Sequence, residues 1–196
     1  MKMADIGSHY KPLVLGIGGT TRIASSTDRA LRIALEAAEA AGARTFLLDG
    51  LFLSRLPHFS PGNHERSEEQ RQLVEMVREA DGLMVATPGY HGGVSGLVKN
   101  ALDLLEDLRD DPRSYLDGRA VGCIITAAGW QTCGSALAAL RSIVHALRGW
   151  PTPYGATLNT TERIFDDSGA CSDPKVLTQL ATVARQVVEF AHMYHR

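Results

Sequence analysis

One short segment near the start of the chain concentrates hydroxyl side chains around a single arginine. It reads GGTTRIASST over residues 18–27, and a helix is predicted to begin at its end. Hydroxyl groups, a guanidinium and the free N–H groups of a helix N-terminus together bind a phosphate dianion well. The segment lacks the G-x-G-x-x-G fingerprint of dinucleotide sites and the lysine of a P-loop. It therefore predicts a site for a terminal monophosphate that is wrapped by side chains.

The same hydroxyl groups allow a simpler interpretation, in which they only cap the helix. Serine and threonine are preferred N-cap residues, so Ser25 to Thr27 could serve that purpose alone. A cap needs one side-chain oxygen, however, whereas this segment carries five hydroxyl groups and Arg22. The phosphate interpretation is preferred for that reason, and capping is kept as the alternative.

A second segment, residues 87–96, reads TPGYHGGVSG and is predicted to be a loop. Four glycines and a proline around one tyrosine and one histidine allow the backbone to approach a flat ligand closely. Tyr90 is available to stack on such a ligand, and backbone N–H groups could bond ring heteroatoms, which suits the edge of an isoalloxazine. A third loop, predicted over residues 127–134, would flank the other side of the same ring with Gly129 and Trp130.

The elements that must position these loops alternate along the chain between short apolar runs and longer stretches of helical periodicity, which indicates βαβ units. The predicted strands cover residues 13–17, 45–48, 83–86, 120–126 and 154–158. The predicted helices cover about 27–41, 67–80 and 174–194, with two further apolar stripes at 97–105 and 137–147. Residues 49–65 are predicted to be irregular because of Pro57 and Pro61. This pattern predicts an open parallel sheet with helices on both faces, whose ligands bind beyond the carboxyl ends of the strands.

The composition is that of an ordinary globular chain. Its 196 residues carry 20 basic and 22 acidic side chains, a net charge of −2, and 44% of them are hydrophobic. Disordered chains have fewer apolar residues and a larger net charge, and nucleic-acid binders show a basic excess. We therefore expect a soluble single domain that has no nucleic-acid partner.

The cysteines and the apolar stretches predict a cytoplasmic location and no contact with a membrane. Three cysteines scattered over a long chain do not fit a secreted disulfide framework. No apolar stretch approaches the ~18 residues of a membrane helix, and the N-terminus lacks the apolar core of a signal peptide. Residues 1–11 are expected to be a disordered leader, followed by a single domain over 12–196.

The string PGYHGGVSGLVKNALD, residues 88–103, resembles the signature of the NADPH-dependent FMN reductase family. The first loop resembles that family's G-S-x-R-x-x-S segment, with Thr20 where serine is usual. The order of strands and helices is also similar over nearly the whole chain. The resemblance implies a flavodoxin-like α/β three-layer sandwich with a five-stranded parallel sheet in the order 2-1-3-4-5. It further implies non-covalent FMN, NADPH or NADH as hydride donor, and a homodimer or homotetramer.

The same resemblance implies which residues hold the cofactor. Those that would bind the FMN phosphate are Thr20, Arg22, Ser25, Ser26 and Thr27. Those that would line the flavin ring and the ribityl chain are Pro88, Gly89, Tyr90 and His91, and the third side would be closed by Gly129 and Trp130. Lys99 and Asn100 lie beyond the loop on the helix and are expected to be structural. Because FMN itself carries the hydride chemistry, no catalytic side chain and no metal are expected.

The leading hypothesis is an NAD(P)H-dependent FMN reductase that passes hydride from the nicotinamide to FMN and then to a flavin, a quinone or a similar small acceptor. The alternatives are a flavodoxin-like electron carrier and a flavin-binding protein without turnover. A carrier usually presents a strongly acidic docking face, which a net charge of −2 does not support. Two other interpretations are disfavoured: a reactive thiol at Cys133, and metal chelation by His192 and His195 near the end of the chain.

Overall fold

A computed structural model of the protein describes residues 10–166 and 168–195. Within them the strands are β1 (Leu13–Gly18), β2 (Arg44–Leu48), β3 (Gly82–Tyr90), β4 (Gly93–Val94), β5 (Ala120–Ala127), β6 (Trp150–Pro151) and β7 (Ala156–Asn159). The α-helices are α1 (Ser26–Ala40), α2 (Gly50–Leu53), α3 (Glu68–Glu79), α4 (Gly96–Asp103), α5 (Trp130–Ala146) and α6 (Pro174–Tyr194). A 3₁₀ helix, Leu104–Leu108, continues α4.

The strands form a parallel sheet in the order β2-β1-β3-β5. The short strands β6 and β7 both pair with the outer edge of β5, β6 at its start and β7 at its end. This is the flavodoxin-like 2-1-3-4-5 arrangement, so the predicted fold is confirmed. The predicted fifth strand differs in detail because its position is divided between β6 and β7. The division falls at Tyr154, whose N–H donates to the Gln186 side chain, whereas the N–H groups of Trp150 and Thr152 donate to residues 119 and 121 beside it. A further two-residue strand, β4, pairs antiparallel with the end of β3.

Helices cover the sheet on both faces and bury two separate apolar clusters. One cluster packs α3, α4 and α5 against the sheet, and the other packs α1 and α6 against the opposite face. Within β1, Leu15 and Ile17 point into the first cluster and Val14 into the second. This alternation is the expected result of a strand that is buried on both faces.

The short helix α2 corrects the prediction that residues 49–65 are wholly irregular. Asp49 accepts a hydrogen bond from the Phe52 N–H at 2.9 Å, which caps the helix at its first turn. The helix ends before Pro57, so the prolines restrict only the later part of the segment. Local capping by one aspartate is enough to form a single helical turn once Phe52 and Leu53 are buried in the core.

Asn100 and Lys99 of the family-like motif have structural roles, as predicted. The Asn100 side chain is buried, accepts from the Phe59 N–H at 2.8 Å and donates to the Pro57 carbonyl at 3.2 Å. Lys99 forms an ion pair with Asp103 one turn later on α4. Asn100 thereby fastens the extended segment after α2 to α4.

Asn100→Leu should lower the free energy of unfolding by about 2 kcal/mol, because the Phe59 N–H loses its partner and the Pro57 carbonyl keeps only its bond from Gln70. Chemical denaturation of the variant and the parent protein measures this difference. Asn63→Ala is the control: Asn63 is exposed in the same connection, and its loss should change stability by less than about 0.5 kcal/mol. Equal stability of the two variants would contradict the anchoring role.

The N-terminal segment and the last helix meet at the end of the sheet opposite to the polar loops. Tyr10 stacks on His195 with ring centroids 3.6 Å apart and contacts the edge of His192. Both histidines therefore pack against an aromatic ring. Residues 1–9 of the predicted leader lie outside the described residues. No helix in the described part of the chain combines the length and apolar character needed to cross a bilayer.

Candidate functional site

A cleft of about 430 Å³ lies beyond the carboxyl ends of β1, β3, β5 and β7. Its lining residues are Thr20, Thr21, Arg22, Ser25, Ser26, Thr27, Pro88, Gly89, Tyr90, Thr126, Ala127, Ala128 and Thr160. All five predicted phosphate residues thus line one cleft together with three of the six predicted ring residues, Pro88, Gly89 and Tyr90, whereas His91, Gly129 and Trp130 do not. Two larger grooves, of about 550 and 660 Å³, lie on α6 and beside residues 106–110, and neither shares a lining residue with this cleft.

The start of α1 forms one end of the cleft. Ser25 is the N-cap, and its Oγ accepts from the Asp28 N–H at 3.2 Å, so the predicted capping role is real for this residue. The amides of Ser26 and Thr27 come before that bond, in the turn where helical N–H groups have no carbonyl four residues earlier. Capping and anion binding are therefore compatible at this helix end, because they use different groups.

The turn before α1 is shaped by its own side chains. The Thr20 hydroxyl accepts from the Arg22 N–H at 3.1 Å, and Ala24 adopts a positive φ of 53°. The chain reverses between these points, which leaves the Arg22 side chain exposed at the cleft. A guanidinium, several hydroxyl groups and the positive end of a 15-residue helix therefore converge on the same end of the cleft.

Thr126 is a lining residue that the sequence analysis did not identify. Its hydroxyl lies 2.6 Å from the hydroxyl of Thr27, and both side chains are buried. This hydrogen bond joins the end of β5 to the first turn of α1. The rule that ligands bind at the carboxyl ends of parallel strands could have pointed to Thr126, although a threonine in a strand is unremarkable by itself.

The second wall of the cleft is a β-hairpin, which corrects the predicted loop over residues 87–96. Strand β3 continues through Pro88 to Tyr90, where Gly89 pairs with Val94 and Tyr90 with Gly93. The two residues between the strands, His91 and Gly92, have φ values of 51° and 83°, as in a type I′ turn. Tyr90 is 56% exposed and lines the cleft, but the tight turn carries His91 away from it.

The third wall also differs from the prediction, because α5 begins at Trp130 and replaces most of the predicted 127–134 loop. Gly129 is the N-cap, and its N–H donates to the Asn159 side chain at 2.9 Å. Helix formation turns Trp130 outward, where it is 55% exposed and outside the cleft lining. The wall is formed instead by Ala127 and Ala128.

Asn159, at the end of β7, connects the last two loops and was not identified from the sequence. Its Oδ1 accepts from the N–H groups of Gly129 and Thr161, at 2.9 and 3.2 Å, and its Nδ2 donates to Glu162. Thr160 donates its backbone N–H to the Ala127 carbonyl at 2.9 Å. These bonds hold Thr160 against the third wall, and only the strand-end position of Asn159 could have suggested this role.

Cys133, on the first turns of α5, is a packing residue, as expected. Its side chain is 1% exposed, and its thiol donates to the Leu158 carbonyl. Burial raises the pKa of this thiol, which keeps it protonated and unreactive near neutral pH. Among residues 10–166 and 168–195, no group of three or more His, Cys, Asp or Glu side chains is placed to hold a metal ion.

The chemistry of the cleft fits a ligand that has a phosphate at one end and a flat body at the other. The donors at the start of α1 suit an acceptor-only dianion. Pro88, Tyr90 and the two alanines of the third wall present apolar surface beside backbone groups, which suits an aromatic ring system. The volume lies within the range of roughly 300 to 1,000 Å³ that is usual for small-ligand sites.

Comparison with known proteins points in the same direction. The family model described as NADPH-dependent FMN reductase matches residues 12–161. The FMN-dependent NADPH-azoreductase of Staphylococcus aureus is 28% identical over 135 residues, which is 68% of each chain. Among solved structures, the flavoenzyme NAD(P)H:(acceptor) oxidoreductase of Paracoccus denitrificans superposes with a TM-score of 0.77 at 19% identity, covering 93% of this chain and 98% of that one. An NADH:FMN oxidoreductase in its apo form gives 0.68 at 22% identity, covering 93% and 90%.

Proposed function

The chain belongs to the NADPH-dependent FMN reductase family, and we propose that the cleft at its strand ends is the FMN site. The protein is an NAD(P)H-dependent oxidoreductase that uses FMN and reduces a small-molecule acceptor. The observation that carries the site assignment is the convergence in one cleft of the Arg22 loop, the start of α1 and the Tyr90 hairpin.

The phosphate of FMN is assigned to the end of the cleft formed by α1. Arg22, the Ser26 and Thr27 groups and the helix dipole supply positive charge and donors there. Thr20 contributes indirectly by bonding the backbone of Arg22. The predicted phosphate residues therefore divide into groups that face the ligand and groups that shape the turn.

The flavin ring is assigned to the surface formed by Pro88, Gly89 and Tyr90 together with the neighbouring Ala127 and Ala128. Gly129 and Trp130 were predicted for this wall. We propose that they contribute by setting the course of the backbone where it enters α5. His91 is proposed to lie beyond the ring at the hairpin tip, where it is exposed to an incoming molecule.

FMN supplies the hydride chemistry when bound, so the protein needs no acid or base of its own at the reacting atoms. Arg22 and the start of α1 would hold the phosphate, and the hairpin residues Pro88, Gly89 and Tyr90 would hold the ring. Tyr90 would also shield bound FMN from water at this wall. The cleft remains open, so the nicotinamide and the acceptor are proposed to use the same face in turn.

The acceptor is proposed to be a flavin, a quinone or a similar planar molecule, and the protein is proposed to be a homodimer or homotetramer. Exposed apolar side chains near the cleft support assembly: Ile23 is 81% exposed, and Tyr90 and Trp130 are more than half exposed. The free cysteines at 123, 133 and 171 support a cytoplasmic location.

Anaerobic reduction tests the proposed function. We expect the purified protein, reconstituted with FMN, to lose the visible flavin absorbance when NADPH or NADH is added. We also expect a quinone added afterwards to restore that absorbance over many cycles. Free FMN at the same concentration, without protein, is the control. A protein that binds FMN but is bleached no faster than free FMN would favour the electron carrier or the flavin-binding protein without turnover.

A further inference from the structure

Thr87 is a fully buried polar residue at the base of the hairpin that forms the ring wall. Its side chain has 0% exposure, and its hydroxyl accepts from the Ser95 N–H at 3.0 Å. The same hydroxyl donates to the Pro88 carbonyl at 3.0 Å. Thr87 and Ser95, which flank the hairpin on its two sides, are therefore joined by a side-chain hydrogen bond.

Ser95 extends this connection into α4. Its side chain is 5% exposed, and its Oγ accepts from the Val98 N–H at 3.2 Å, which makes it the N-cap of that helix. The end of β3, the hairpin and the start of α4 are thus fixed to one another by two neighbouring hydroxyl groups. These hydrogen bonds are buried, where the loss of one partner leaves the other unsatisfied.

The hairpin needs such a connection because its own pairing is short. The pairing of β3 with β5 ends at Pro88 and Thr126, and the hairpin adds only the pairs Gly89–Val94 and Tyr90–Gly93. A two-stranded hairpin of this length is marginally stable by itself in water. Its turn also holds His91 at a positive φ, a conformation that non-glycine residues rarely adopt.

We propose that Thr87 is a positioning residue for the flavin ring: its buried hydroxyl holds Pro88, Gly89 and Tyr90 at the cleft by fixing both ends of the hairpin. The proposal rests on the proposed function, which assigns the ring to this wall. Thr87 lies behind the wall and outside the cleft lining, so it acts through the hairpin without contact with the ring.

Thr87→Val tests the proposal, because valine keeps the shape of threonine and removes only the hydroxyl group. Two probes are titrated, FMN and riboflavin, which share the ring and differ in the phosphate. We expect Thr87→Val to weaken the binding of both flavins by a similar factor of about ten, the effect of one lost buried hydrogen bond. Thr87→Ser should restore both affinities, and the visible absorption band of bound FMN should change in the valine variant alone.

Thr152→Val is the matched control. Thr152 is also buried and also loses a hydrogen bond, to the Tyr154 carbonyl at 2.7 Å, but it lies between β6 and β7 and outside the cleft lining. We expect this variant to melt at a lower temperature and to bind both flavins as the parent does. If the two valine variants instead bind the flavins equally weakly, the effect comes from a general loss of stability, and the proposal is overturned.

Two further outcomes decide against a role at the ring. Normal binding of both flavins by Thr87→Val would overturn it, and so would a loss confined to FMN, which would assign Thr87 to the phosphate end.

Should Thr87→Val fail to fold, amide hydrogen exchange in the parent protein decides. The Ser95 amide should then be strongly protected, and exchange as fast as at Gly92 would overturn the proposal. A parent protein that binds neither flavin would instead refute the proposed function itself.

Discussion

Arg22→Ala is expected to weaken FMN binding by about 10- to 100-fold, which corresponds to about 1.5 to 3 kcal/mol for a hydrogen bond to a charged group. Arg22 is the cation of the cleft lining, and it stands beside the amides at the start of α1. Its guanidinium can bind two phosphate oxygens at once, which lysine cannot reproduce. Arg22→Lys should therefore recover only part of the affinity.

Riboflavin and a second arginine serve as controls for this prediction. Riboflavin has no phosphate, so its binding should be nearly the same in Arg22→Ala and in the parent protein. Arg185→Ala removes an exposed arginine of α6 that pairs with Glu189, and it should leave FMN binding unchanged. If Arg22→Ala weakens riboflavin as much as FMN, the guanidinium does not bind the phosphate.

Gly50→Ala is expected to lower the free energy of unfolding by about 3 kcal/mol and to weaken FMN binding at the same time. A Cβ atom at position 50 would lie 2.1 Å from the carbonyl oxygen of Thr20 and 2.5 Å from its backbone nitrogen. The added Cβ can be accommodated only if the backbone of the Thr20 to Arg22 turn shifts. Helix α2 thus supports the phosphate end of the cleft from behind, although it does not line the cleft.

Urea denaturation and FMN titration together measure the effect of Gly50→Ala. Gly62→Ala is the control, because a Cβ at position 62 meets nothing within 4 Å. The free energy of unfolding of this variant should stay within about 0.5 kcal/mol of the parent value. We expect the Gly50 variant to bind FMN more weakly even under conditions where it is fully folded. Stability and FMN affinity equal to those of the Gly62 variant would show that the close packing of α2 on Thr20 is not required.

The sequence predicted the phosphate end of the cleft better than the ring end. Residues 20–27 lie in one loop that leads directly into a helix, so their shared direction follows from local structure. Which residues face the ring end depends on where β3 ends and where α5 begins. Pro88 and the glycines suggested a loop, but pairing with β5 and β4 extended β3 to Tyr90 and moved His91 into a turn.

Residues contributed by distant strands escaped prediction for a related reason. Thr126 and Thr160 look like ordinary residues of a strand and a turn, and they join the cleft only because β5 and β7 end beside α1 and β3. Asn159 gains its role from a bond to Gly129, 30 residues earlier in the chain. No local pattern contains that information.

The amino-acid sequence by itself therefore determined the alternation of strands and helices, the family resemblance and the chemical groups available at each strand end. These properties depend on neighbours in the chain, which composition and periodicity record directly. The tertiary structure decided which of those groups face the cleft. Pairing of β3 with β5 continues the strand through Pro88, and hydrogen bonds from Thr27 to Thr126 and from Gly129 to Asn159 join segments that lie far apart in the chain. Such bonds form only after the sheet has brought those segments together.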